Sequence, residues 1–146
     1  MAHKTRRWYL ASIGGLSVVG VAGCSEDEPE PDAEPDAEPE PQEHEVIAGP
    51  DGSWAFDPEE LTIRVGDTVT WYFDSAGHNV TAHPDAASDT QIPDGAEPFA
   101  SYEGDNHLEI VSEGDEYSHT FDVPGEYVYV CTPHIPQMTG SIVVEE

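Results

Sequence analysis

Three side chains with metal-binding chemistry lie within eight residues near the C-terminus. Cys131, His134 and Met138 occur in the run Cys-Thr-Pro-His-Ile-Pro-Gln-Met. A thiolate, an imidazole and a thioether form a soft ligand set, which favours copper over magnesium or calcium. Because two prolines interrupt the run, it predicts a tight loop after a strand, and such a loop can bring several ligands to one ion. The run therefore predicts a metal site that needs a second imidazole.

Four histidines in the same part of the chain could supply that imidazole: His78, His83, His107 and His119. His78 follows Gly77 in the turn after the predicted strand 69–73, whereas His119 lies within a predicted strand. Without further information, a histidine is more often a surface or hydrogen-bonded residue than a metal ligand. Residue types alone therefore leave the choice among the four open.

The elements that must position these side chains are predicted strands. Residues 61–65 and 69–73 alternate apolar with polar side chains, and residues 116–121, 126–131 and 141–145 also read as strands. No stretch shows an apolar stripe with the helical period. Several short strands in about 100 residues predict an all-β, antiparallel β-sandwich. Its core is expected to include Phe56, Trp71, Phe73 and Phe121.

The first 23 residues have the pattern of an export signal. A basic start is followed by an apolar stretch of 14 residues at positions 10–23, shorter than the roughly 20 residues that span a bilayer. Arg6-Arg7 resembles a twin-arginine signal, and Val-Ala-Gly-Cys24 resembles a lipobox. These features predict removal of residues 1–23 and a lipid on Cys24, so that the protein is anchored to the outer face of the cell membrane. The alternative is an N-terminal anchor helix with Cys24 as an incidental thiol.

A linker is predicted between this signal and the folded part. Residues 25–45 contain 11 acidic residues and five prolines, and no large apolar side chain. Such a segment buries too little surface to offset its ordering entropy. Residues 24–45 are therefore predicted to be a disordered acidic tether, and residues 46–146 the folded domain. Its longest connection, residues 84–106, is rich in Asp, Ala, Pro and Gly and has no assigned function.

The charge excludes one class of partner. The chain has 31 Asp+Glu and 4 Lys+Arg, and three of these four basic residues precede position 24, which leaves 1 − 31 = −30 afterwards. Nucleic acid is excluded because phosphate binding needs basic residues. Molar salt shortens the Debye length to about 3 Å and screens such self-repulsion. The composition thus favours a halophilic origin over the alternative of an acidic docking face for one basic partner.

The sequence from residue 46 onward resembles the blue-copper cupredoxins of the plastocyanin family, and most of all the plastocyanin-like halocyanins. The matching pieces are Phe-Asp-Pro at 56–58, Val-Gly-Asp-Thr-Val-Thr-Trp at 65–71, His-Asn-Val at 78–80, Pro-Gly-Glu-Tyr at 124–127, and Cys-Thr-Pro-His at 131–134 with Met138. The resemblance implies an eight-stranded Greek-key sandwich with one copper ion at one end.

The same resemblance implies the ligands and the chemistry. It assigns His78, Cys131 and His134 to the plane of the copper, Met138 to a long axial position, and Asn79 to a tie between the ligand loops. Gln137 is the alternative axial ligand, because three residues separate His134 from Met138 where plastocyanins usually have four. Asn79-Val80-Thr81 also matches a glycosylation motif, for which the structural role of Asn79 is preferred.

The implied activity is one-electron transfer rather than enzymatic catalysis. His134 is expected to be the electron port, and the rim around it is expected to be apolar, formed by Pro133, Ile135 and Pro136. The expected partners are membrane or extracytoplasmic redox proteins. The protein itself is expected to be a monomer. The main alternative is a copper storage or delivery lipoprotein with the same fold, and a metal-free interaction domain is the third reading.

Overall fold

Alternating apolar residues give the central strands one buried face. In the strand of residues 68–73, Val69, Trp71 and Phe73 are buried while their neighbours are only partly covered. The computed structural model describes residues 39–146 and contains seven strands in that range. They are β1 (Glu43–Ala48), β2 (Phe56–Asp57), β3 (Glu60–Arg64), β4 (Thr68–Phe73), β5 (Glu116–Thr120), β6 (Gly125–Val130) and β7 (Thr139–Glu145).

The strands form two sheets, with the orders β2-β1-β4-β5 and β3-β7-β6. The all-β sandwich prediction is confirmed, but the expectation of purely antiparallel sheets is wrong. β1 runs parallel to β4, and β3 runs parallel to β7. The described residues also hold seven strands where the resemblance implied eight. The long connection between β4 and β5 forms isolated bridges but no continuous strand, which accounts for the missing strand.

The core between the sheets is dominated by aromatic rings around Trp71. Its indole is fully buried and lies edge-on to Tyr129, with ring centroids 5.3 Å apart. Phe99 packs against the same indole at 5.6 Å, although it comes from the β4–β5 connection. Aromatic pairs of this kind add about 0.5–1.5 kcal/mol beyond the area that they bury. The connection therefore contributes to the core of the sandwich.

The same connection covers a sheet edge. β6 is the last strand of its sheet, and its free side would expose unpaired backbone groups. Thr81 pairs there with Val130, and Gln91 pairs with Val128 through two hydrogen bonds of 2.8 and 3.0 Å. The segment 84–106, which had no function from sequence, thus contributes Gln91 to the protection of the strand that leads into Cys131.

The folded part begins earlier than predicted. β1 starts at Glu43, three residues before the predicted boundary, so residues 43–45 belong to a strand and not to the tether. The buried Asp67 carboxylate fixes this start. It accepts hydrogen bonds from the backbone N–H of Gln42 at 2.8 Å and of Arg64 at 3.0 Å, and from His44 Nε2 at 2.8 Å. These partners could not be read from composition alone.

Asp67→Asn is expected to reduce the free energy of unfolding at pH 7 by about 2 kcal/mol, because an amide nitrogen would face backbone donors. Burial raises the pKa of Asp67, but these hydrogen bonds outweigh it and the net pKa is lowered. A lowered pKa means that the carboxylate stabilises the fold above about pH 4, and that this stabilisation is lost as the pH falls further. Denaturant unfolding at several pH values in constant salt measures both effects.

Asp94→Asn is the matched control, because Asp94 is exposed and the substitution removes the same charge. Its free energy of unfolding is expected to stay within about 0.5 kcal/mol of the parent. A gap between Asp67→Asn and the parent that does not shrink as the pH falls towards 3 would contradict the assignment of this stabilisation to the Asp67 carboxylate.

The predicted export signal, Cys24 and the tether up to residue 38 lie outside the described residues. Within residues 39–146, no helix is both long enough and apolar enough to cross a membrane.

Candidate metal centre

Three of the predicted ligands converge at one end of the sandwich. The Cys131 sulfur lies 3.8 Å from His78 Nδ1 and 3.4 Å from His134 Nδ1. These three ligand atoms all lie within 4.8 Å of one another. Cys131 and His78 are buried and His134 is half-buried. Both imidazoles therefore present the same type of nitrogen to a single thiol sulfur.

The C-terminal ligand loop is held by its own backbone. Cys131 follows β6 directly, and its N–H donates to the carbonyl of Met138 at 3.0 Å. The N–H of His134 donates to the carbonyl of Cys131, and the N–H of Met138 donates to the carbonyl of His134. The two prolines of the loop leave no competing N–H donors. Met138 is thereby placed beside Cys131, and its side chain is fully buried, whereas the alternative ligand Gln137 is exposed.

Asn79 joins the two ligand-bearing segments. Its side-chain oxygen accepts from the backbone N–H of Thr132 at 2.9 Å, and its amide group donates to Thr132 Oγ1 at 2.8 Å. The carbonyls of His107 and Glu109 lie 3.1 and 2.9 Å from the same amide nitrogen, whose two protons are shared among these three acceptors. Its backbone N–H points at the Cys131 sulfur at 3.5 Å. Because Asn79 is completely buried, the folded domain does not expose it as a glycosylation site.

Burial sets the protonation of the candidate ligands. Desolvation raises the pKa of the Cys131 thiol, although the backbone N–H groups of Asn79 and His134 partly oppose it. Desolvation, followed by the proximity of His134, lowers the pKa of His78. The imidazole is therefore held in the neutral form that binds metals, while the thiol must lose its proton when a metal binds. Metal affinity is expected to rise with pH in the range where the thiol is protonated.

The other three histidines are placed elsewhere. His107 Nδ1 lies 2.9 Å from the hydroxyl of Tyr102, and His83 faces the His107 ring at 5.8 Å. His119 stacks on Phe99, with ring centroids 4.5 Å apart. Within the described range, none of these three belongs to the cluster of converging ligand atoms.

Sequence reasoning missed the segment that touches both candidate histidine ligands. Trp54 stacks on the His134 ring, with centroids 4.8 Å apart and planes 20° apart, yet 57% of its surface is exposed. Gly49 lies at the other end of the same segment, beside His78 and Ser75. This segment, residues 49–54, contains none of the ligand motifs, and Trp54 is not part of an alternating apolar pattern. Only the three-dimensional structure therefore reveals these contacts.

The profile of copper binding proteins, plastocyanin/azurin family, matches residues 43–145 of the chain. The chain belongs to this family. The match begins at the first residue of β1 and ends at the last residue of β7, so it covers all the strands described above. The blue-copper cupredoxin resemblance inferred from the ligand motifs is therefore confirmed.

The proteins similar to this chain include a halocyanin, a plastocyanin and a pseudoazurin. Over 103 residues the chain is 37% identical to a halocyanin of Natronomonas pharaonis, covering 68% of the chain and 54% of the halocyanin. It is 36% identical over 97 residues to the plastocyanin of Scenedesmus fuscus, covering 64% of the chain and 90% of that protein. A pseudoazurin structure from Sinorhizobium meliloti superposes with a TM-score of 0.52 at 32% identity, covering 72% and 75% of the two chains. The chain thus spans about half of the halocyanin and nearly all of the plastocyanin.

The donor set of this cupredoxin fits the copper that its family binds. Two histidines and one cysteine arranged around a point, with a methionine nearby, form the set typical of blue-copper electron-transfer sites. His78, Cys131 and His134 would hold the ion, with Met138 as the candidate fourth ligand, and copper would supply the change between Cu(II) and Cu(I). Asn79 and the loop backbone hold the two segments that carry these ligands.

Proposed function

We propose that this cupredoxin is a one-electron carrier with a single blue copper site. The observation that carries the proposal is the convergence of the Cys131 sulfur with the Nδ1 atoms of a buried and a half-buried imidazole, at 3.8 and 3.4 Å. A thiolate so placed gives strong electronic coupling to the metal, and hydrogen bonds to its sulfur tune the potential. The relation to a plastocyanin across 90% of that protein supports a carrier rather than an enzyme.

The proposal includes attachment to the outer face of the cell membrane. It is supported by the signal-like residues 1–23 and by the lipobox pattern that ends at Cys24. A lipid on Cys24 and an acidic tether would hold the domain near membrane or extracytoplasmic redox proteins and so raise its local concentration. Detection of a diacylglyceryl group on the native protein by mass spectrometry tests this part separately. An unmodified Cys24 in the native protein would refute it.

The carrier function is tested by the visible absorption of the full chain in molar salt. Cu(II) addition is expected to produce an intense blue band from the thiolate–copper bond, which ascorbate bleaches and reoxidation restores. Tight copper binding without this band would favour storage or delivery, the alternative that uses the same ligands. Absence of copper binding would refute both copper functions.

A substitution in the rim around His134 tests whether electrons enter and leave the protein there. Pro133 and Pro136 are exposed and Ile135 is half-buried, and the exposed Trp54 ring extends this apolar rim. Ile135→Glu is expected to slow electron self-exchange at least about tenfold, because two rims that meet would each carry a new negative charge. Line broadening in NMR spectra of mixed Cu(I) and Cu(II) protein measures the rate, and the blue band is expected to be unchanged.

Val143→Glu provides the matched control for this prediction. Val143 is also an exposed apolar residue, but it lies in β7, outside the ligand loop. The added charge is the same, so self-exchange is expected to stay within about twofold of the parent. Equal slowing by both substitutions would mean that net charge, rather than the rim around His134, controls the encounter.

A further inference from the structure

A hydrogen-bond relay ends on the outer nitrogen of the His78 ring. His78 Nε2 lies 3.0 Å from Ser75 Oγ, and Ser75 Oγ lies 2.7 Å from the carbonyl oxygen of Gly49. The carbonyl can only accept, so the single hydroxyl proton of Ser75 is donated to Gly49. The serine oxygen can then only accept from His78, which requires a proton on Nε2. The remaining ring nitrogen, Nδ1, is left with a free lone pair and faces the Cys131 sulfur at 3.8 Å.

The acceptor at the far end of this relay is fixed in place. Gly49 has φ +72°, in the left-handed region that favours glycine. Its N–H donates to the carbonyl of Ala55 at 2.9 Å, and its own carbonyl also accepts from the N–H of Gly52 at 3.1 Å. A Cβ atom at position 49 would overlap both Ser75 Oγ and the His78 ring. Glycine at this position therefore allows the close approach that the relay needs.

The relay acts on the imidazole and not on the loops. The Asn79 side chain ties backbone segments together but makes no hydrogen bond to the His78 ring. The His134 ring lacks a relay of this kind among the described residues and is instead covered by Trp54. The two imidazoles are thus oriented by different means, one by hydrogen bonds and the other by stacking.

We propose that Ser75 is a positioning residue that selects the Nε2-protonated tautomer of His78 and so directs its Nδ1 lone pair to the metal. Groups that hold the outer nitrogen of a histidine ligand fix its tautomer and ring orientation, and their loss typically lowers metal affinity about 10- to 100-fold. The inference rests on the proposed copper function only for its effect on affinity. The choice of tautomer is a property of the metal-free protein as well.

The first test is the tautomer of His78 in the metal-free full chain, read from the ¹⁵N shifts and long-range ¹H couplings of its ring. We expect Nε2–H in the parent, with a cross-peak between that proton and Ser75. Ser75→Ala is expected to give a mixture of tautomers, whereas Ser75→Thr, which keeps the hydroxyl, retains Nε2–H. Ser53→Ala is the matched control, since Ser53 Oγ bonds only to the carbonyl of Pro50 in the same segment.

The second test is the affinity for Cu(II), measured by competition with a chelator. Ser75→Ala is expected to bind copper about 10- to 100-fold more weakly, and Ser75→Thr and Ser53→Ala within about threefold of the parent. An Nδ1–H tautomer in the parent, or an unchanged tautomer in Ser75→Ala, would overturn the inference. If Ser75→Ala does not fold, the tautomer of the parent still tests the inference, because an Nδ1–H form would contradict it. If the parent binds no copper, the proposed function fails while the tautomer result still decides the role of Ser75.

Discussion

Cys131→Ser is expected to abolish the blue absorption band completely. The band requires a thiolate bound to copper, and a serine hydroxyl is a harder ligand that stays protonated at neutral pH. The two imidazoles remain, so weak Cu(II) binding with a pale spectrum is expected in place of the blue site. Visible absorption and electron paramagnetic resonance of the copper-loaded protein measure this outcome.

The chain supplies its own control for this substitution. Cys24 is the only other cysteine, so Cys24→Ser removes a thiol and leaves the converging ligands untouched. Its spectrum is expected to match that of the parent. An intense blue band that survives in Cys131→Ser would show that the thiolate lies elsewhere and would refute the assigned site.

Asn79→Leu is expected to lower the free energy of unfolding of the metal-free protein by at least about 3 kcal/mol. The substitution keeps the approximate volume but removes the partners of the Thr132 N–H and of the Glu109 carbonyl, while the His107 carbonyl keeps only the Thr132 hydroxyl as a donor. Each buried polar group left without a partner costs about 1–3 kcal/mol. For a domain of this size, the thermal midpoint is expected to fall by more than about 10 °C. Calorimetry in molar salt measures this shift.

Asn106→Leu makes the same change at an exposed position. Asn106 donates only to the Glu109 carboxylate, and surface substitutions of this type usually stay within about 0.5 kcal/mol. The contrast between the two variants isolates the bonds that join the ligand loops. A loss below about 1 kcal/mol in Asn79→Leu would mean that water or neighbouring groups replace those bonds, and that Asn79 is not the tie proposed from the sequence.

The convergence of the candidate ligands was largely predictable because their chemistry is concentrated in short motifs. Cysteine and methionine are rare in this chain, so Cys131 and Met138 stood out with His134 between them. Choosing His78 among four histidines needed the family resemblance, since spacing did not separate it from His83 or His107. The strand pattern gave the sandwich because a half-buried strand must alternate its side chains.

The features that were not predicted depend on contacts between distant segments. The first strand was partly assigned to the tether because residues 43–45 continue its acidic composition, whereas their pairing with β4 and the His44–Asp67 bond decide their structure. Parallel pairing was missed for the same reason, since strand direction is set by the connections and not by alternation. Trp54 touches His134 across the fold. Ser75 lies only three residues before His78, but the loop conformation that brings it to the ring follows no pattern in the sequence.

The direction of β1 has a mechanical consequence. β1 begins at Glu43, opposite the first residue of β4, and leads to Gly49 beside the candidate ligands. Six residues of strand span about 20 Å, so the chain enters the sandwich at the end remote from the metal centre. A pulling force from the N-terminal side would load the β1–β4 hydrogen bonds in shear and the His44–Asp67 pair first. The ligand loops would lie outside that load path, and a domain held from this end would turn its metal-binding end away from the point of attachment.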